Sequence, residues 1–308
     1  MSPRDLFENY AFIVVIALIL GLATGGFPGY PAEIIIVALA IMMTLSLSEI
    51  RITRGAFSGL GGPTVAAIAL NYLLLTGMIL LIAQFFEDDL RSGWILMAAV
   101  PSAVAVVPFT YMIGGDTRFS LVGTTTIYLL ALILAPLITL MAIGQEIERL
   151  RLIFIILLLI VIPLIISRLP TLRNMKRVRK TPLINLCFGI LVFTMIGANR
   201  NAFEELSMVA WISLASLIRT FCIGLLVLWV LRRIKISSDK AKVLTLFASY
   251  KNLGLTAAIA MAIIGSEAAI PAAICIPFEI IWLIALKAAT KEKRHLPSRN
   301  SKGTATQL

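Results

Sequence analysis

Three ionisable side chains stand deep inside apolar stretches: Arg219 in "LASLIRTFCIGL", Lys251 in "FASYKNLGLTAAIAM" and Glu279 in "CIPFEIIWL". A charge at such depth costs several kcal/mol unless it faces a partner or a wet cavity, so these groups mark ion or substrate pathways by default. Each also has a purely structural reading. Lys251 could pair with Glu279 and lock a helix bundle, and Arg219 could snorkel toward headgroups or pair with a neighbour. Catalytic constellations are missing. There is no Walker loop and no His-Glu-x-x-His, and the single His295 completes no triad. An intramembrane protease would need paired aspartates or a Ser/His pair within the spans, and neither is present. Cys187, Cys222 and Cys275 all fall inside apolar runs, which suggests neither a disulfide framework nor a zinc site. The expectation is a non-enzyme with no metal and no cofactor.

The elements that must position these groups are membrane helices. Hydrophobic residues make up 59% of the 308 positions and charged residues 14%, a balance no soluble domain of this length shows. Spans of roughly 20 apolar residues fit ten segments. These are 10–26, 31–48, 63–86, 92–113, 119–143, 150–169, 182–199, 206–231, 241–264 and 268–286. The first ends in Gly-Gly-Phe-Pro-Gly rather than a small-residue cleavage site, so it reads as a retained helix. Most of the 27 Lys and Arg residues fall on one side of this arrangement, the densest group being "SRLPTLRNMKRVRK". The opposite side holds only Arg91, Arg149, Arg151 and Arg200. The positive-inside rule then puts both termini in the cytoplasm of a multi-pass protein of the plasma or inner membrane. The net charge of +11 needs no nucleic-acid partner, because the basic loops face anionic lipid.

The loop "GQEIERLR" divides the spans five and five. Residues 1–143 read as the first five-helix repeat, 144–290 as the second, and 291–308 as a disordered cytoplasmic tail. An odd number of spans per half inserts the second half upside down. Each half carries an interrupted span in fourth place. One is "AAVPSAVAVVPFTYMIGGD", with Pro101 and Pro108, and the other has Lys251, Asn252 and Gly254 in its middle. Broken helices are tolerated in lipid only where the freed backbone lines a cavity or is covered by protein. A matched pair of them points to a transporter binding site. Proline kinks are common in membrane helices, but the matching break in the other half makes that reading of Pro101 and Pro108 the weaker one. The fold class expected is an all-α membrane protein of ten transmembrane helices in two inverted five-helix repeats, with helices 4 and 9 discontinuous.

On two local patterns the chain resembles the bile acid:sodium symporter family. The first is Pro101 at a break, then Thr110-Tyr111, Gly115-Asp116, Ser120 and Thr124. The second is Asn252-Leu253-Gly254-Leu255-Thr256-Ala257-Ala258. The resemblance covers about residues 10 to 290. It implies a secondary transporter of organic anions, with a panel domain (spans 1, 2, 6 and 7) and a core domain in which helices 4 and 9 cross. It further implies two sodium ions behind the crossing and a substrate between core and panel. Carried over one at a time, the family's sodium ligands fall unevenly. Its serine–asparagine pair falls on Val106 and Val107, which offer no side-chain oxygen. Its hydroxyls fall on Ser120 and Thr124, and a glutamine on Asn71. A shared glutamate falls on Phe247, and a second glutamine on Lys251. Two sodium ions and one glutamate leave one positive charge behind the crossing in the family, and Lys251 alone leaves the same here. The resemblance therefore implies a tethered ammonium in place of a metal ion, with Asn71, Ser120, Thr124 and freed carbonyls as its expected neighbours.

A site that has lost several oxygens binds hard cations poorly, so transport is expected to be sodium-independent. Protons are one candidate coupling ion, while exchange or facilitated diffusion needs none. The partners expected are a small or amphipathic organic anion and the bilayer. Half-helix N-termini and Lys251 favour the anion, with Thr110, Asn252, Glu279 and Arg219 as further candidate contacts. Three alternatives stand beside this one. An auxin-carrier-like anion efflux permease shares the ten-helix plan and is sodium-independent. A metalloid-anion permease would need a cysteine in the fourth span, which is absent. A sensor of the same fold would not turn over. Among the minor polar groups, Thr125 and Thr126 are expected to bond back to their own helix, and Asn71 and Asn185 to join helices. The Gly61-Gly62-Pro63 run is expected to start one.

Overall fold

Helices in this chain begin and end where local chemistry dictates. The first, α1 (Tyr10–Thr24), opens on Asn9, whose side chain accepts from the Phe12 N–H at 3.2 Å, as a capping residue does. It closes on Gly25 in the left-handed conformation, φ 83°, a common way to end a helix. Pro31 occupies the first turn of α2 (Pro31–Ser48), where a missing N–H costs nothing. The next helix, α3 (Gly61–Ala83), starts at the expected glycines. It contains a π-helical segment, Ala69–Leu75. The Asp116 carboxylate caps α6 (Thr117–Ile143) by accepting from Phe119 N–H at 2.9 Å.

The computed structural model describes residues 9–49, 59–143 and 149–290, and the expected tail at 291–308 lies outside them. Among the described residues there is helix and no strand. After α3 come α4 (Asp88–Ala99), α5 (Val106–Ile113) and α6, then α7 (Arg149–Ile166) and α8 (Arg177–Ala198). The last four are α9 (Leu206–Arg233), which holds a second π-helical segment at Ile218–Cys222, α10 (Ser238–Ser249), α11 (Leu253–Ile263) and α12 (Ile270–Ala289). Among the described residues, seven helices are long and apolar enough to cross a membrane, counting Ser238–Ile263 across its interruption. The chain is a multi-pass membrane protein.

The length rule thus selects seven segments rather than the ten expected, for identifiable reasons. Gly25 stops α1 at 15 residues. The apolar part of α7 is also short, Leu150–Ile166. The segment expected at 92–113 is two helices, α4 and α5. Val100 precedes a proline and adopts an extended backbone, φ -66° and ψ 156°, as the proline ring demands. Pro108 lies in the first turn of α5, where its lack of an N–H is harmless. The segment expected at 241–264 is likewise divided, with Tyr250 extended between α10 and α11.

The helices pack as two groups. α8 lies along α1 and α2, and α2 along α7. In the other group α4 packs on α3, α6 and α11, and α10 packs on α9, α5 and the π-helical turn of α3, while α12 packs on α9 and α11. The two extended stretches meet inside this second group, where the Asn252 N–H donates to the Pro101 carbonyl at 2.9 Å. Close approach here depends on Gly123 of α6. A Cβ at that position would meet the Phe247 ring at 2.7 Å.

Candidate functional site

Where α4 stops, its last carbonyls have no intrahelical partner, and they carry the negative end of the helix dipole. The Lys251 ammonium lies there. It donates to the Ala98 and Val100 carbonyls at 3.0 Å each and to the Thr76 hydroxyl at 2.9 Å. Those three bonds use all three of its N–H donors. The Asn71 side-chain oxygen stands further off at 3.4 Å, and the Tyr72 ring centre is 5.0 Å away, within cation–π range. Lys251 is fully buried. Burial of an ammonium is tolerable only with such complete pairing.

The acceptors are themselves held. The Thr76 hydroxyl is within donating distance of the Ala98 carbonyl, 2.7 Å, and of the Asn71 carbonyl, 3.1 Å. The Asn71 amide donates to the Phe247 carbonyl at 3.0 Å, tying α3 to α10 as an interhelical contact. The π-helical turn of α3 brings Asn71, Tyr72 and Thr76 together. An i to i+5 turn places Asn71 over Thr76, whereas an α-helix would set them about 140° apart.

The crossing is fixed from the other side by Asn252. Its side-chain oxygen accepts from the Leu255 N–H at 3.0 Å, and its amide donates to the Tyr128 hydroxyl of α6 at 2.7 Å. The first of these bonds caps α11.

Glu279 of α12 is paired with Arg219, whose Nη2 donates to Oε1. Arg219 projects from the π-helical turn of α9 and is fully buried, and among the described residues its Nε and Nη1 have no hydrogen-bond partner. Glu279 keeps 11% side-chain exposure. The Lys251–Glu279 side-chain pair considered from the sequence does not form: the ammonium points to α3 and α4, and only the Lys251 backbone N–H approaches Oε1, at 3.4 Å. Arg219 does not snorkel either.

No protein-family model and no curated protein matches this chain. Its chemistry therefore has to be read from its own geometry.

The residual cation-site positions divide. Asn71 borders the ammonium. Ser120 and Thr124, expected there too, do not bond to it. Ser120 Oγ lies 3.0 Å from Thr110 Oγ1, which donates to the Val106 carbonyl at 2.7 Å. The Thr124 hydroxyl is buried without a partner among the described residues. Phe247 is fully buried, edge-on to Phe119 at 6.2 Å. Val106 is buried in the core, while Val107 and Pro108 face a cavity. Thr125 and Thr126 bond to their own helix, at the Leu121 and Val122 carbonyls.

That cavity has a volume of about 660 Å³ and lies between the two helix groups. Its walls are mostly aliphatic and aromatic. Met42 and Phe188 come from one group, Val104, Ile280 and Leu283 from the other. The paired breaks contribute Ala103 to Ala105 and Lys251 to Gly254, and Glu279 closes one wall. Thr76, Tyr72 and Tyr128 are the site residues that sequence reasoning missed. No sequence signal marked them, since the i to i+5 relation of Asn71 and Thr76 has meaning only within the π-helical turn.

Proposed function

We propose that this chain is a secondary transporter of small or amphipathic organic anions, in which Lys251 replaces a bound sodium ion. The observation that carries the reading is the ammonium of Lys251, enclosed by oxygens at a helix break that borders the cavity. A metal ion at this place would use the same kind of ligand, carbonyl and hydroxyl oxygen. The ammonium supplies the charge without dissociating, so transport is sodium-independent.

On this reading α4 with α5, and α10 with α11, are the two discontinuous spans of a ten-span inverted repeat. The group α1, α2, α7 and α8 is the panel, and the remainder is the core that moves against it. Two features support the pairing of halves. Each break is in the fourth span of its half, and each half carries a π-helical turn in its third span, with Asn71 on one and Arg219 on the other. The cavity suits an amphipathic molecule in size and wall chemistry. It is lined by the start of α1 (Tyr10) and of α8 (Thr181) and by the ends of α2 (Ser46), α5 (Met112) and α12 (Ile284). With both termini cytoplasmic, this is an inward-open state. The anion is placed at the N-termini of α5 and α11, which meet at the breaks.

The test is thermal unfolding of the purified protein with taurocholate and short aliphatic carboxylates, in sodium chloride and in choline chloride. Stabilisation by an anion, equal in both salts, is expected. Stabilisation that requires sodium would overturn the ion replacement, and absence of flux in liposomes would overturn transport.

A further inference from the structure

Two buried cations and one carboxylate form the charged centre of this molecule, and the three groups are not equivalent. Lys251 has its three donors filled by oxygens of α3 and α4 and no exposure. Arg219 is fully buried. Of the two paired groups, Glu279 reaches the cavity: it lines the wall, and its side chain keeps some exposure while that of Arg219 has none. Only one of its oxygens, Oε1, is engaged by Arg219. A proton arriving through cavity water therefore meets a carboxylate first.

We propose that Glu279 is the exchangeable-proton site of this protein and that Lys251 is a fixed charge. This rests on the transporter reading and names its coupling ion. The step is simple. A proton from cavity water forms an O–H bond at the free carboxylate oxygen of Glu279, and nothing is oxidised or reduced. Before it, Lys251, Arg219 and Glu279 sum to one positive charge. After it they sum to two, and Arg219 has lost its counter-ion. Arg219 already has two donors without partners among the described residues, Nε and Nη1. An anion entering the cavity would restore the balance, so proton and anion bind together better than either alone.

Other ionisable groups stand around Glu279. Glu49, at the end of α2, lines the same cavity from the other helix group, and Glu267 opens the short turn Glu267–Ala269 that packs on α12. From α9 comes Arg219, and Cys275 lies one turn before Glu279 on α12. Tyr250 donates its hydroxyl to the Glu279 backbone carbonyl at 2.7 Å, and Tyr10 of α1 is close enough to interact electrostatically. Of the other helices packed on α12, α11 has no ionisable residue, and α4 has Asp88, Asp89 and Arg91 in its first turn only. Helix α5 has Tyr111, which is 67% exposed. Helix α8 has Arg177, Arg179 and Lys180 in its first turns, with Lys180 donating to Ser48, and Cys187 further along.

The experiment is infrared difference spectroscopy of the purified full chain in detergent, without added substrate, stepped from mildly alkaline to mildly acidic buffer. The expected result is a carbonyl stretch of a protonated carboxylic acid that is lost in Glu279→Gln. If that variant aggregates, Glu279→Asp serves instead, and the band is then expected to shift in frequency. Identical titration of the wild type and the Glu279 variant would overturn the proposal. So would a band that persists in Glu279→Gln and is lost in Glu49→Gln. The measurement does not depend on flux. A Glu279 band in a protein that moves no anion would defeat the transporter reading and leave the proton site standing.

Discussion

Lys251 owes its place to oxygen atoms rather than to a counter-ion. Its closest partners are two carbonyls and a hydroxyl, so removing any one leaves a buried N–H without an acceptor. Thr76→Val is expected to lower stability by about 1–3 kcal/mol, the cost of an unsatisfied buried polar group, and Thr76→Ser to restore most of it. Thermal or denaturant unfolding in detergent checks both. Arg219 and Glu279 follow the other rule, that of an ion pair. Arg219→Gln should cost about 3–5 kcal/mol at neutral pH, because it strands a buried carboxylate. The double variant Arg219→Gln, Glu279→Gln should be less damaging than the single one. A double loss equal to the sum of the two single losses, Arg219→Gln and Glu279→Gln, would mean that the two residues do not interact energetically. At this scale the sequence was partly legible. An ionisable residue in an apolar run announces itself, which is why Lys251, Arg219 and Glu279 stood out. Their partners did not, because an apolar helix carries many threonines and only backbone geometry distinguishes Thr76 from Thr124.

The helix breaks convert backbone groups into binding groups. A continuous α4 would use the Ala98 and Val100 carbonyls internally, and Lys251 would then have nowhere to donate. Pro101 enforces the stop, and Asn252 starts the partner helix while holding Tyr128. Asn252→Ala is expected to cost about 1 kcal/mol for the lost cap, plus the loss of its bond to Tyr128. Gly123→Ala tests the closeness of α6 and α10. The added methyl group meets the Phe247 ring. Overpacking of this kind costs about 1–3 kcal/mol. Phe247→Leu in the same chain should recover part of it. A Gly123→Ala variant as stable as wild type would show that the two helices separate easily there. Both breaks were visible as proline, or as polar residues and glycine, inside apolar runs. The π-helical turns were not, since a single inserted residue leaves no compositional trace.

For the molecule as a whole, the decisive feature is a cavity between two helix groups with charged residues buried beside it. If it is inward-open, Val107→Cys in a chain lacking its own cysteines should react with a membrane-impermeant maleimide in inside-out vesicles. It should react far more slowly in right-side-out ones. The reverse pattern would invert the topology derived from the basic loops. Replacing Lys251 by Gln and Phe247 by Glu removes the buried ammonium and introduces a carboxylate. The expected outcome is sodium-dependent thermal stabilisation absent from the parent.

Membrane residence, helical class and the positions of both breaks could be read along the chain. Each depends on local physics: hydropathy, the shape of proline and the capping ability of asparagine. The burial cost of charge likewise singled out Lys251, Arg219 and Glu279, all three of which the fold buries. Partners across the fold could not be read that way. Lys251 meets Thr76 and Ala98, and Arg219 meets Glu279, across large separations in sequence. Packing and a π-helical register decide those encounters. Ser120 and Thr124 carried the right chemistry and still do not bond the ammonium, because an ammonium at the end of a broken helix follows the nearest free carbonyls.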